Sequence, residues 1–402
     1  MKMKKRNQKQ YFLVLLILAV LFIASILRSP ITSLGPLIPM IREELGVSNA
    51  LVGFVNTLPL LAFGLFSPFV PALARRLGME KVLLLAMLVL SFGIFLRGTG
   101  GISVLLFGTF LVGIAIAVGN VLMPGLIKLS FPYRVGLMTG FYSVSMNIFG
   151  ALASGLSIPI TNIEGIDWRS SMQVWSILAL IAMLLLILRL PANRETNSLP
   201  SKVNNQPTNA LFKSKVAWAV TIYMGLQSFI PYSLFTWLPD ILLVKGFAEE
   251  QTGWFIALFQ VGLIPATFLV PLIAFKFKHQ SYLALLSGVL FFIGLLGITF
   301  ISSNLIMLCL LITGVGAGTA FSLAMLFFVL RTNTIEESSQ LSSMAQSIGY
   351  MIAAIGPIFL GLVAEWTNSW NTPLLILMLA SVGIAMCGFV AGKSEKVIVK
   401  QH

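Results

Sequence analysis

Twelve apolar segments, each long enough to cross a lipid bilayer as a helix, follow one another along this chain of 402 residues. About 20 apolar residues span the hydrocarbon core as a helix. Only 10% of the residues are charged and 57% are hydrophobic, whereas a soluble domain carries about a quarter charged residues. Because this composition cannot cover a water-facing surface, the sequence predicts an all-α integral membrane protein.

The predicted helices form two groups of six. They occupy 11–41, 49–74, 82–99, 102–130, 135–161 and 170–190, and then 215–244, 251–275, 281–301, 305–330, 340–364 and 373–391. The polar segment between the groups is rich in Asn, Pro, Ser and Lys, which is typical of a flexible linker. We therefore expect an N-terminal six-helix bundle at 1–190, a linker at 191–215 and a C-terminal six-helix bundle at 216–402.

The basic residues predict the orientation, because Lys and Arg concentrate on the cytoplasmic side of membrane proteins. With a cytoplasmic N-terminus, 21 of the 26 Lys and Arg residues fall in inner segments and four in outer segments (Arg42, Arg97, Arg169 and Lys245), while Arg28 remains within the membrane. We expect a multi-pass plasma-membrane protein with both termini in the cytoplasm and an uncleaved first helix. The net charge of +13 is scattered between apolar blocks, so no nucleic-acid partner is expected.

An internal repeat relates the two groups of helices. Pro39, Gly46, Gly53 and Pro71 recur 200 positions later as Pro239, Gly246, Gly253 and Pro271. Four matches at one offset predict a duplicated six-helix unit, with the two bundles in the same orientation and related by a pseudo-two-fold axis along the membrane normal. Such bundles leave a cavity between them near the midplane of the membrane.

Arg28 is the residue least expected in such a chain, because a charge at mid-membrane depth costs about 2.5–3.5 kcal/mol even on insertion scales. No acidic residue lies in the middle of a predicted helix; Asp240 and Glu365 lie near outer ends. Arg28 could bind backbone carbonyls around Pro30 and hold a helix kink. The preferred interpretation is a substrate contact, since a guanidinium is a planar donor fork suited to small oxyanions and carboxylates.

Polar residues in other helices are further candidates. The 200-residue offset pairs Arg28 with Ser228, beside Gln227, and Gln227, Tyr232 and Trp237 fall along one side of the seventh helix. The two aromatic residues could equally serve packing or an interfacial belt. Buried amides could line the cavity or join neighbouring helices; they are Asn56, Asn120, Asn147, Gln260 and Gln346, the last followed by Tyr350.

Five stretches resemble the cyanate porter family of the major facilitator superfamily, which includes cyanate and 2-nitroimidazole transporters. They are LRSPITSLGPLIPMIREELG, TLPLLAFGLFSPFVPALARRLG, GIAIAVGNVLMPGLIK, GLQSFIPYSLFTWLP and LSSMAQSIGYMIAAIGPIFLG. The resemblance implies that helices 1, 4, 7 and 10 line the cavity, which gives weight to Asn120 rather than Asn147. In PALARRLG, Pro71 and Arg75 replace the Gly and Asp of the superfamily motif Gly-x-x-x-Asp-Arg-x-Gly, so the gate linked to that Asp is not expected here.

From these motifs we expect a substrate-binding site formed by Arg28, Asn120, Gln227, Tyr232, Gln346 and Tyr350. The resemblance implies a secondary active or facilitative transporter of a small anionic or polar solute, cyanate-like or a nitro compound, working by alternating access. An efflux pump for neutral or anionic toxic compounds is the alternative. An enzyme or a sensor is not favoured, because no histidine lies in a predicted helix and no large soluble segment is present. We expect no cofactor and no metal, and one chain provides both bundles, which favours a monomer.

Overall fold

The computed structural model describes residues 2–47, 49–189, 209–274, 276–301 and 305–397, which contain helices and no β-strand. The first half contains α1 (Lys2–Thr32), α2 (Leu34–Leu45), α3 (Asn49–Phe66), α4 (Val70–Leu77), α5 (Met79–Arg97), α6 (Ile102–Ser130), α7 (Val135–Thr161), α8 (Trp168–Gln173) and α9 (Ser176–Arg189). The second half contains α10 (Asn209–Phe212), α11 (Lys215–Val244), α12 (Glu249–Ala274), α13 (Ser281–Phe300), α14 (Ile306–Leu330), α15 (Ile335–Thr367) and α16 (Asn371–Ala391).

Eleven spans within the described ranges are long and apolar enough to cross a membrane, and some combine two consecutive helices, such as α1 with α2. The twelfth membrane helix is α11, whose 30 residues extend about 45 Å. The hydropathy of α11 is lower than that of the eleven spans, because it carries Gln227, Ser228 and Tyr232. Most of its residues are buried against protein. A helix that faces protein rather than lipid needs no continuous apolar surface. The predicted twelve-helix membrane fold is confirmed.

The same helix pairings occur in both halves. In the first half, α1 packs against α7 and α9, α3 against α6, and α5 against α6 and α9. In the second half, α11 packs against α15 and α16, α12 against α14, and α13 against α14 and α16. Each pairing of the first half has its counterpart in the second, as two copies related by a pseudo-two-fold axis require. The two groups meet where α3 packs against α15 and where α7 packs against α12.

The repeated glycines have the same conformation in both copies. Gly46, at the end of α2, has φ +60°, and Gly246, just after α11, has φ +88°; this left-handed region is one that glycine adopts without steric cost. The first membrane helix of each half therefore ends at the equivalent residue. The copies differ in one respect, because α1 and α2 are separated at Ser33 whereas α11 continues from Lys215 to Val244.

The predicted linker at 191–215 lies largely outside the described residues, which resume at 209. Its last residues form α10 and the N-cap of α11, where the Ser214 hydroxyl accepts a hydrogen bond from the Ala217 N–H at 3.3 Å. Our division of the chain at 190 and 216 stays a prediction.

An ion pair joins two helix ends at the predicted inner side of the first bundle. Glu80, in the first turn of α5, is buried, and its Oε1 lies 2.9 Å from Nε of Arg189 at the end of α9. Glu80 lies two residues after the PALARRLG motif, whose residues form α4 and its C-terminal glycine. Removing one partner of a buried ion pair destabilises a fold. The contact between Glu80 and Arg189 therefore holds α5 against α9.

Arg189→Met removes the guanidinium beside the buried Glu80 carboxylate, and we expect it to lower the free energy of unfolding by about 1.5–3 kcal/mol, the value of a contact with a charged group. Denaturant or thermal unfolding of the purified protein in detergent measures the change. The double variant Glu80→Gln, Arg189→Met is expected to recover part of the loss, because no charge then remains buried at this position. Unchanged stability of Arg189→Met would show that the pair is not a clamp.

Candidate functional site

Arg28 lies in the last turns of α1 and is only 8% exposed. The hydroxyl residues beside it fasten α1: Ser29 Oγ donates to Ser25 O at 2.7 Å, and Thr32 Oγ1 donates across to Gly150 O of α7 at 2.9 Å. The guanidinium itself extends toward the other bundle, where its Cζ lies 5.1 Å from the ring centre of Phe235 and 5.8 Å from that of Tyr232. Arg28 therefore belongs to the interface between the halves.

No counter-charge accompanies Arg28 among the described residues, whose ion pairs involve Arg169 and Arg189 instead. Its Nε atom is buried without a hydrogen-bond partner. The aromatic contacts contribute about 0.5–2 kcal/mol each, which does not clearly exceed the cost of the buried charge. The Tyr232 hydroxyl lies close enough to interact with the guanidinium but carries no charge. The Arg28 guanidinium therefore has at least one N–H group, at Nε, that donates no hydrogen bond.

The alternative role for Arg28, binding carbonyls at a kink near Pro30, is filled by another arginine. Arg97 Nη1 donates to Pro30 O at 2.7 Å, and Arg97 is only 1% exposed. The sequence places Arg97 in an outer segment because it ends an apolar helix, and nothing in the sequence distinguishes a buried from an exposed residue at such an end. The structure leaves Arg28 without that structural task.

A small central cavity surrounds the guanidinium. Its volume is about 20 Å³, enough for one or two water molecules. Apolar residues such as Met146 and Phe321 form part of its wall. The polar and aromatic part of the lining consists of Arg28, Asn147, Gln227, Ser228, Tyr232 and Tyr350. The cavity takes residues from both halves of the chain and is too small, in this conformation, for a solute.

Four of the six predicted site residues line this cavity: Arg28, Gln227, Tyr232 and Tyr350. Tyr350 extends the aromatic wall, since its ring centre lies 6.4 Å from that of Tyr232 and 4.9 Å from that of Phe63.

The structure places the other two predicted residues away from the cavity lining. Asn120 Oδ1 accepts a hydrogen bond from the Tyr142 hydroxyl at 3.4 Å. Gln346 donates to Ser342 Oγ at 2.8 Å, and its Oε1 is buried without a partner. Asn147, which we had given less weight, lines the cavity instead, because α7 packs along α1.

Gln260 connects the two halves beside Arg28. From α12 its Nε2 donates to Gly150 O and to Ser154 Oγ of α7, both at 3.0 Å, while its Oε1 is buried without a partner. A Cβ at position 150 would lie 2.7 Å from Arg28 Cγ and nearer still to Gln260 Oε1. The side chains of Arg28 and Gln260 therefore both pack against the backbone of Gly150, and the Gln260 amide is a polar neighbour of Arg28.

Two pseudo-symmetric helix groups around a central polar cavity define a polytopic membrane transporter. The family model of the Major Facilitator Superfamily matches residues 16–354, and the chain belongs to this superfamily. The predicted membership is confirmed, and the protein is a transporter of a small solute.

Three relatives match over almost the whole length. The Uncharacterized transporter YycB of Bacillus subtilis is 41% identical over 94% of either chain. The 2-nitroimidazole transporter of Escherichia coli is 34% identical over 96% of this chain and 97% of its own. The cyanate transport protein CynX of Escherichia coli is 25% identical over 92% of this chain and 95% of its own. These names agree with the predicted resemblance and do not favour the efflux alternative.

Gly150→Ala places a methyl group against the stem of Arg28 and the amide of Gln260. We expect at least a tenfold loss of substrate affinity, because both side chains must move, although alanine favours the helix by about 1 kcal/mol. Gly125→Ala is the matched control, since its Cβ would meet only Met79 Cε at 3.5 Å. Binding measured on purified protein should separate the two variants, and equal affinities would contradict the assigned crowding.

Proposed function

We propose that the protein carries a small, flat anion or strongly dipolar solute across the cell membrane by alternating access, with Arg28 as its main contact. The observation that carries the proposal is the unpaired Arg28 guanidinium in the central cavity. A bound anion would supply the missing counter-charge, and hydrogen bonds to charged groups contribute about 1.5–3 kcal/mol each.

The surroundings of Arg28 support a flat solute. Phe235, Tyr232 and Tyr350 form an aromatic wall, against which a delocalised molecule can stack. Asn147 and Gln227 add neutral hydrogen-bonding groups to the lining. The 2-nitroimidazole and cyanate in the relatives' names are both small and delocalised, which supports the same class for this chain. We include Asn120 and Gln346 in the proposal only as residues that could reach the solute in another conformation.

The closed cavity supports alternating access. Its volume of about 20 Å³ admits no solute, so the halves must separate at one end before binding and at the other before release. Among the described residues, no Asp, Glu or His lies mid-helix beside Arg28, so a side chain suited to carrying a proton is lacking there. We therefore infer facilitated movement, or a proton that travels with the solute.

Several finer properties belong to the same proposal. The lysine and arginine bias supports a cell-membrane location with both termini in the cytoplasm. One chain contributes both walls of the cavity, which supports a functional monomer. We infer that transport is its activity rather than catalysis, and that it binds no nucleic acid.

Arg28→Gln is expected to weaken anion binding about 10- to 100-fold, the equivalent of one hydrogen bond to a charged group, without loss of stability. Arg28→Lys keeps the charge but loses the planar fork, so intermediate affinity and some transport should remain. Binding and proteoliposome flux of cyanate, 2-nitroimidazole and benzoate, with unfolding measured on the same samples, provide the test. Reduced folding with intact affinity in Arg28→Gln would assign Arg28 to structure instead.

Gln260→Glu places a carboxylate beside Arg28. We expect it to neutralise the guanidinium and to reduce benzoate binding at neutral pH. Acidification protonates the new glutamate and removes its charge, so binding should recover as the pH falls. Gln260→Leu, which loses the same hydrogen bonds to α7 without adding a charge, is the matched control. Equal, pH-independent binding by both variants would contradict the role of the Arg28 charge.

A further inference from the structure

Arg97 is the largest of the fully buried side chains in the described part of the chain. It ends α5, and the bare backbone of Gly108 on α6 makes room for it, since a Cβ there would lie 2.9 Å from Arg97 Cγ. Its Nε has no hydrogen-bond partner, and no described acid forms an ion pair with it. The strong contact of this charge is a single backbone atom, Pro30 O.

That backbone atom lies at the break between α1 and α2. In a continuous helix the carbonyl of Pro30 accepts a hydrogen bond from the N–H of Leu34, but α1 ends at Thr32 and α2 begins at Leu34. Arg97 donates to Pro30 O at 2.7 Å, and Ser157 Oγ of α7 donates to Ser33 O at 3.0 Å. Side chains from two other helices therefore satisfy the carbonyls at the break.

The internal repeat provides a comparison within the same molecule. The packing aligns Gly93 with Gly294, because a Cβ on Gly93 would meet Gly108 O and Val112 N and one on Gly294 would meet Cys309 O and Thr313 N. Arg97 therefore corresponds to the buried Ile298. The helix equivalent to α1 and α2 in that half is α11, which runs unbroken from Lys215 to Val244. The break is present in the half that has Arg97 and Pro36 and absent from the half that has Ile298 and Thr236. Pro36 interrupts the helix because it has no N–H for Thr32 O, and Arg97 fixes the interrupted segment at Pro30 O.

The segment beyond the break covers the central cavity at its predicted outer end. The backbone of Gly35 lies against the carbonyl of Phe235, where a Cβ would be 2.9 Å from the oxygen. Pro36 lies beside Gly253 of α12, with its Cγ 3.4 Å from the position of a Cβ there. We call the region where Gly35 and Pro36 contact Phe235 and Gly253 the outer mouth. The ring of Phe235 lies beside the Arg28 guanidinium, so α2 contacts the same residue as the arginine of the cavity.

We propose that Arg97 is a positioning residue that fixes the junction of α1 and α2, so that α2 closes the outer mouth. The inference rests on the alternating access of the proposed function but not on the identity of the solute. Arg97 is not part of the cavity lining, so it governs opening rather than affinity. Without the guanidinium, the Leu34 N–H is the remaining donor to Pro30 O. Pro36 still prevents a straight helix, but the junction of α1 and α2 is no longer tied to α5, so α2 can move away from α11.

A cysteine in the cavity reports the opening. Ser228 lines the cavity; Ser228→Cys is placed in a background with Cys309 and Cys387 replaced by alanine, and a membrane-impermeant thiol reagent is added outside intact cells. The labelling rate, normalised to folded protein, is expected to rise about fivefold or more in Arg97→Met, a factor appropriate to one lost hydrogen bond. Arg97→Lys can still donate to the carbonyl, so its labelling rate should lie between those of Arg97→Met and the parent.

Gln173→Leu is the matched control. It removes the bond from Gln173 Nε2 to Phe95 O, 2.9 Å long, at the same end of α5 and should label at the parental rate.

Parental labelling of folded Arg97→Lys and Arg97→Met overturns the inference, as does equal acceleration by Gln173→Leu. If Arg97→Met does not fold, Arg97→Lys decides alone, and labelling at the parental rate counts against the positioning role. A parent that moves neither cyanate, 2-nitroimidazole nor benzoate, yet shows the expected labelling pattern, contradicts the proposed solute class and supports the gate.

Discussion

Burying a guanidinium at the centre of a membrane protein without an acidic partner costs free energy that ordinary packing does not return. The structure around Arg28 reduces this cost in small steps. Phe235 and Tyr232 offer their ring faces, and Gly150 leaves room for the arginine stem. From α11, Gln227, Ser228 and Tyr232 line the cavity around this charge. In the proposed function, a bound solute supplies the counter-charge that Arg28 lacks among the described residues.

The duplication accounts for the arrangement of the helices, and the proposed function depends on the positions at which the two halves differ. Helix pairings are the same in both halves, yet the first half contributes a charge at Arg28 where the second contributes Ser228 and Gln227. The first half also has a helix break where the second has none. A symmetric pair of bundles gives two interfaces about which the halves can rock. We propose that these departures from symmetry define where the solute binds and which segment closes over it.

The sequence was sufficient to predict the helices, the repeat and the position of Arg28 within a membrane helix, because these depend on local hydrophobicity and spacing. It did not identify the buried position of Arg97, since an arginine at the end of an apolar helix has the same pattern whether it meets water or another helix. The choice between Asn120 and Asn147 depends on how each helix is rotated in the bundle. In a helix that is apolar on every side, single residues carry little information about rotation, and the tertiary packing decides it.

The central claim is that the charge of Arg28 is balanced by the solute. It is tested most directly by comparing benzoate with benzamide, which are nearly equal in shape but differ in charge, as ligands of the purified protein. The account predicts at least tenfold tighter binding of benzoate, close to the value of one charged hydrogen bond, and loss of that preference in Arg28→Gln. Equal binding of the two ligands, or a preference for benzoate that survives Arg28→Gln, would contradict it.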